Sequence, residues 1–335
     1  CRDEFVASET ERRGVEAQVF HVGGHVALHD AVRLGVFLHR ASPDGLLLSS
    51  FNKVFLGGMA GRIGRVPRVV ARFGLSSDRP ARRFVYPIAL RRWVDRIVVN
   101  STMFRDGVRA DLPGVDPEKI ITIYNGVDVP ERRRPAGAVR CELGIGPEAP
   151  VIGAVARLSR QKRLDRLLRV TAALPDDVTC LVAGHGPGEA DLRELARSLG
   201  IESRVRFLGL RDDVGDVLDA LDVYVITSAT EGLSNSMLEA LACGVPVIST
   251  PVSGASTALE SLADGRIPGR IVEPEPGALT AAVAELLTDR GLRERMSEAA
   301  RARVRERFDW DDKLDRWEQL LTGDVMAPVG EGVTQ

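Results

Sequence analysis

The sequence predicts an α/β protein built from two doubly wound parallel-sheet domains, and three observations carry that reading. Short apolar, β-branched runs alternate with amphipathic segments through both halves of the chain, the pattern of parallel strands separated by helices. A stretch rich in Pro, Gly and Arg, residues 130–150, interrupts the alternation near the middle. A chain of 335 residues, 44% hydrophobic and 27% charged, is long enough for two cores of ordinary globular composition.

In the first half, residues 17–22 read as a strand, 26–39 as a helix, 45–50 as a strand, 54–63 as a helix and 68–71 as a strand. After a longer helical region, residues 95–100 and 119–124 are further strands, the last ending in Asn125-Gly126-Val127-Asp128. Gly57, Gly58, Gly61 and Gly64 superficially suggest a phosphate loop. They lie inside an amphipathic run and precede their strand, so helix packing is the better reading.

The second half opens with a buried strand, residues 151–156, from which Arg157 to Lys162 lead into a helix over 164–174. Lys162 sits at a helix start, where a cation opposes the macrodipole, which calls for a functional reason. Arg157 and Lys162 can converge on a diphosphate; the plainer alternative is two solvated cations. Residues 180–183 form a strand followed by Gly184-His185-Gly186-Pro187-Gly188, too irregular for a dinucleotide fingerprint. Residues 205–208 form another, ending in the turn Gly209-Leu210-Arg211.

Residues 223–250 are the most informative. A strand over 223–227 gives way to a loop and then to a helix beginning at Ser234 or Asn235 and ending at Gly244, with a further strand over 247–250. The helix N-terminus offers unpaired N–H groups and partial positive charge to an anion. Glu231 in the loop and Glu239 in the helix stand in Glu-x7-Glu spacing, Glu239 on the face it shares with Asn235. A carboxylate there suits paired hydroxyls, although one in a first turn also answers the macrodipole. Beyond it, residues 271–274 read as a final edge element, 276–288 and 292–308 as helices, and a last amphipathic helix runs to Leu321.

Net charge is −2 but uneven. Residues 1–140 carry 23 Lys and Arg against 15 Asp and Glu; the rest carry 22 against 32. Between residues 51 and 100, eleven basic side chains meet only Asp78 and Asp95. That is either a solvated face or a surface drawn to an anionic acceptor or an anionic membrane. Nucleic acid is disfavoured as a partner, since no aromatic stacking series or recognised binding motif accompanies the charge. No run of eighteen apolar residues occurs. The four cysteines lack metal-ligand spacing and are expected to be buried thiols in a reducing cytoplasm. His21, His25, His29 and His39 read as surface or core histidines, and His185 has no second ligand nearby for a metal.

The run EGLSNSMLEALACGVPVI resembles the Glu-x7-Glu segment of retaining glycosyltransferases of family 4 (glycosyl transferases group 1), and Arg157 to Lys162 and Gly184 to Pro187 resemble that family's Arg-Leu-x-x-x-Lys and Gly-x-Gly-Pro segments. The resemblance implies the GT-B fold, two Rossmann-like domains facing across a cleft, over residues 1–146 and 147–308. It implies a crossover helix, 309–322, with Trp310 and Trp317 packing on the first domain; residues 323–335 read as a disordered tail. It implies transfer of a sugar from a nucleotide-diphosphate-sugar co-substrate to a saccharide or lipid-linked acceptor, with retention and without metal or other cofactor. Arg157 and Lys162 would neutralise the diphosphate. Gly232, Leu233, Ser234 and Asn235 would hold sugar and phosphate oxygens through their amides, Glu231 the sugar hydroxyls and Glu239 the ribose. Gly184, Gly186, Leu210 and Arg211 would lie near the nucleotide. The expected location is cytoplasmic, peripheral to the inner membrane face through the basic region.

Two departures from the family pattern stand out. The chain is expected to enter after the family's first strand and glycine-rich loop, and Arg72 stands where many members carry a His, which makes it an acceptor-side candidate. A catalytically impaired or truncated nucleotide-sugar-binding relative therefore stays open as an alternative. A GT-B epimerase acting without acceptor is disfavoured by the resemblance at Glu231 to Glu239.

Overall fold

A computed structural model describes residues 28–49, 51–74, 85–112 and 114–323; the expected strand over 17–22, Cys1, His21, His25 and the tail 324–335 lie outside them. The first sheet contains β1 (Gly45–Leu48), β2 (Arg68–Phe73), β3 (Arg96–Val99) and β4 (Ile120–Thr122), all parallel and in that order. These strands are short and apolar on both faces, as parallel strands under helices must be. Val69, Val70, Ala71, Ile97, Val98 and Val99 are buried. Helix Phe51–Ile63 presses glycines onto this sheet. A Cβ on Gly57 would stand 2.4 Å from a Leu48 methyl, and one on Gly61 2.8 Å from a Val69 methyl, so these glycines serve packing.

The second sheet holds β5 (Val151–Val155), β6 (Thr179–Ala183), β7 (Val205–Gly209), β8 (Val223–Ile226), β9 (Val247–Ser249) and β10 (Gly269–Ile271), again all parallel. Their spatial order is β10-β9-β8-β5-β6-β7. The chain starts in the middle at β5, steps outward to β7, then returns to add β8 on the other side of β5. Connections on the two sides of β5 and β8 therefore leave in opposite directions, which opens a crevice at their carboxyl ends. One apolar cluster packs Leu167, Leu168, Leu279 and Val283 on one face, and another packs Met237, Leu238, Leu241 and Ala300 on the other.

Three expectations are corrected. The edge strand is Gly269–Ile271, not 271–274, because pairing with β9 brings Gly269 so close that a Cβ there would stand 2.4 Å from the Val247 carbonyl oxygen. Residues 130–150 join the two sheets and are tied down: Asp216 accepts hydrogen bonds from the Arg133 and Arg134 amides and from the Arg134 side chain, lashing the segment to helix Val214–Asp219. Cys141 is exposed, since its short helix buries Val139 instead. Cys180 is buried, which pushes its thiol up to about 12. Trp310 is 42% exposed and meets the backbone of Gly126, whereas Trp317 packs into the cluster of Val70, Val98, Ile123 and Leu320.

Helix Trp310–Thr322 thus covers a face of the first sheet, although its residues follow the second. The chain crosses between the sheets at two adjacent places, where Val127 bridges Asp309 and its amide donates to the Phe308 carbonyl at 2.8 Å. Tyr124 and Phe308 meet edge to face beside this crossing, at 5.7 Å. Among the described residues no helix is long and apolar enough to cross a membrane.

Candidate functional site at the crevice between strands five and eight

The loops that leave β5 and β8 are zipped together over the crevice. Gln161 Nε2 donates to the Thr230 carbonyl at 2.7 Å, the Ala229 amide to the Gln161 carbonyl at 2.9 Å, and Thr227 Oγ1 to the Lys162 carbonyl at 2.9 Å. This brings Lys162, carried by a single 3-10 turn, against Glu231, and Lys162 Nζ donates to Glu231 Oε1. Glu231 is only 9% exposed, so the ammonium is its neutralising partner. Its carbonyl is fixed from behind by the amide and hydroxyl of Ser253, at 3.2 and 2.5 Å.

Lys162, Glu231, Thr227, Ser228, Ser234 and Ser236 line one small pocket floored by β5 and β8. Tyr224 lies beneath it, its hydroxyl donating to the Val155 carbonyl at 3.0 Å, and burial raises its pKa. Helix Asn235–Cys243 begins at the pocket edge. Ser234 is its N-cap in extended geometry, but no side chain caps the helix. The first-turn N–H groups and the positive end of the dipole are thereby available to an anion. Gly244, at φ +79°, ends the helix as expected of a left-handed C-cap.

Glu239 lies just past the first turn of the same helix and has no hydrogen-bond or ion-pair partner among the described residues. Burial raises its pKa above the ordinary glutamate range. Arg157, at the end of β5, is exposed and likewise without a protein partner among the described residues. Neither side chain lines the pocket itself: Arg157 follows Ala156, which does, and Glu239 stands three residues beyond Ser236, which also does.

Other sequence candidates are placed differently. Gly184, at φ +130°, and Gly186 lie against the loop after β5, where added Cβ atoms would stand 1.9 Å from the Ala156 oxygen and 2.3 Å from the Leu158 oxygen. Close backbone approach alone demands glycine at both positions. Leu210 is 81% exposed beyond edge strand β7, two strands from the crevice. Arg211 binds Asp213 and Glu142, both oxygens of each carboxylate, so its guanidinium is already committed. His185 is an exposed side chain 3.6 Å from Glu189. Among the described residues no group of three His, Cys, Asp or Glu could hold a metal ion.

Strand ends of the first sheet close over this site. Arg72 Nη2 donates to Asn125 Oδ1 at 3.0 Å, and Asn125 Nδ2 donates to the Leu233 carbonyl at 3.0 Å and to Asn235 Oδ1 at 2.7 Å. Burial lowers the Arg72 pKa, and the cation has no carboxylate partner among the described residues. Gly232 abuts Gly74 and Asn100, leaving no room for a Cβ, which would lie 2.3 Å from the Gly74 oxygen. Sequence reasoning missed Asn125 and Asn100. The available signal was positional: both follow apolar strands at the edge where a parallel sheet presents its ligands.

The family model for "Glycosyl transferases group 1" matches residues 138–303, and that for "Glycosyltransferase Family 4" matches residues 6–131. Lipopolysaccharide core biosynthesis glycosyltransferase LpsE of Rhizobium meliloti (strain 1021) is 30% identical over 238 residues, 70% of this chain and 67% of that protein. D-inositol 3-phosphate glycosyltransferase of Salinispora tropica is 32% identical over 264 residues, 72% of this chain but 52% of that protein, so the chain spans about half the length of such relatives. Among solved structures, Anabaena Alr3699/HepE in complex with UDP and glucose superimposes with a TM-score of 0.81 at 24% identity, covering 94% of this chain and 88% of that one. Sequence matches to both halves and two parallel sheets in this arrangement have one meaning: the chain belongs to the group 1 glycosyltransferases of family 4 and has the GT-B fold.

Proposed function

We propose that the protein moves a sugar from a nucleotide-diphosphate-sugar donor to an acceptor hydroxyl, with retention at the anomeric carbon. The observation that carries this reading is the uncapped helix N-terminus beside the β5–β8 pocket that Lys162 and Glu231 line, with the half-buried Glu239 one turn into the same helix. A leaving diphosphate gains negative charge as the glycosidic bond breaks, and preorganised cations and N–H groups stabilise that charge most where water is excluded. Arg157, Lys162 and the amides from Gly232 to Asn235 fill that role here. Glu239 accepts from the ribose hydroxyls and Glu231 from those of the sugar. These residues meet the leaving group without a metal ion. The acceptor oxygen bonds to the anomeric carbon as the bond from that carbon to the diphosphate breaks, and its proton passes to the departing diphosphate, on the side of the cleft that holds Arg72.

HepE in complex with UDP and with UDP-glucose makes a uridine donor the first to try. LpsE's place in lipopolysaccharide core biosynthesis favours a lipid-linked or cell-surface saccharide as acceptor. The basic residues between 51 and 100 then serve an anionic membrane face on the cytoplasmic side. The test is a thermal-shift panel of uridine, guanosine and adenosine diphosphates, followed by turnover of the matching sugar nucleotide with and without EDTA. A ligand at about 100 times its Kd adds roughly 2.7 kcal/mol, a shift of several degrees. Absence of any shift removes the donor-site reading, and EDTA-sensitive turnover removes metal independence. Binding without turnover would instead favour a nucleotide-sugar-binding relative.

A further inference from the structure

Asn125 is fixed in orientation by the groups around it. A guanidinium only donates, so the atom facing Arg72 must be Oδ1, and the Leu233 carbonyl only accepts, so the atom facing it must be Nδ2. Both N–H bonds of that amide are used, one on Leu233 and one on Asn235. The relay runs one way, from a half-buried cation at the end of β2, through the amide after β4, to the two residues that bracket the uncapped helix start. A second contact holds the same loop from the same side: Gly232 sits against Gly74 and Asn100. Asn100 is 5% exposed, and its Oδ1 has no hydrogen-bond partner among the described residues.

We infer that Asn125 is a positioning residue, which sets the Leu233–Asn235 segment for the diphosphate and so makes donor binding depend on the first sheet. This rests on the donor-site reading given above. The two groups it holds are a carbonyl and a side chain of the anion-binding segment; when they are released, the first-turn N–H groups lose their fixed direction. Arg72 orients the amide and brings its positive charge toward the donor side of the cleft.

Calorimetric titration of the full chain with uridine, guanosine and adenosine diphosphates, each in turn, tests the assignment. Asn125→Ala and Asn235→Ala are each expected to weaken the nucleotide bound by the parent about tenfold. The double variant is expected to lose no more than either single one, because both interrupt one relay. Asn235 is exposed, so its variant keeps the question answerable should Asn125→Ala fail to fold. Tyr124→Phe, which deletes a hydroxyl contact of Arg307 beside the crossing, is expected to leave affinity unchanged. Fully additive losses, or parent-like affinity in Asn125→Ala, overturn the positioning role while leaving the donor site intact. A parent that binds none of the three nucleotides overturns the donor site itself, and the positioning role with it.

Discussion

Lys162 and Glu231, 69 residues apart in sequence, form an ion pair that closes the crevice between two loops whose parent strands, β5 and β8, are neighbours in space. Among the described residues neither charge has a second partner of opposite sign. The pair is therefore both a staple and a store of charge for a ligand.

Lys162→Ala should lower stability by about 2 kcal/mol, below the cost of breaking a fully buried pair because Lys162 retains some exposure. Lys162→Met combined with Glu231→Gln should recover most of that stability in urea unfolding while leaving nucleotide affinity at least tenfold reduced. Recovery of both would mean that the lysine serves the fold alone.

Glu239 should trade stability for binding. Its folded pKa is raised by burial, so ionisation at neutral pH opposes folding, and the cost disappears as protonation becomes complete. Glu239→Gln should therefore melt slightly higher than the parent at pH 7. That advantage should shrink as pH falls through the raised pKa and vanish below about 4.3, the ordinary glutamate value. The same variant should bind nucleoside diphosphates more weakly, which melting with ligand across pH 4 to 7 would reveal.

Gly232→Ala should force the loop away from the first sheet, since the added methyl would collide with backbone at Gly74 and with the Asn100 side chain. A cost of about 1–3 kcal/mol is usual for such overpacking. Chemical unfolding reads the cost, and small-angle scattering should show a larger radius of gyration if the two sheets separate.

Glu142 lies on the surface, yet hydrogen bonds from Arg211 and then Arg134 hold its carboxyl down at about 2. With the folded pKa lowered, its contribution is present above the ordinary range and is lost as pH falls from about 4.3 toward 2. Its side chain is 38% exposed, so solvent screening limits the contribution. Glu142→Gln should cost less than about 1 kcal/mol, and less still in 1 M salt.

Local pattern made most of the fold legible. Strands β5, β6, β8 and β9 announce themselves as apolar β-branched runs, and the helix ending at Gly244 carries both its stop signals. Lys162, Glu231 and Ser234 were also readable, because the segments that carry them are contiguous. Asn125 was not, because its meaning lies in Leu233 and Asn235, more than a hundred residues away. Side-chain environment was equally hidden: Asp213 and Glu142 both hold Arg211, and Trp310 is 42% exposed where it meets Gly126. The edge strand slipped by two residues because register there is set by Gly269 against β9 rather than by apolar periodicity.

Helix Trp310–Thr322 has a consequence for biosynthesis. A ribosome that has completed both sheets has not yet released the residues that shield Val70, Val98 and Ile123. The first sheet to be made is thus the last to be finished, and its apolar face must wait through translation of nearly two hundred residues for Leu320 to arrive. Nascent chains stalled before Trp310 should recruit hydrophobic-surface chaperones through that face.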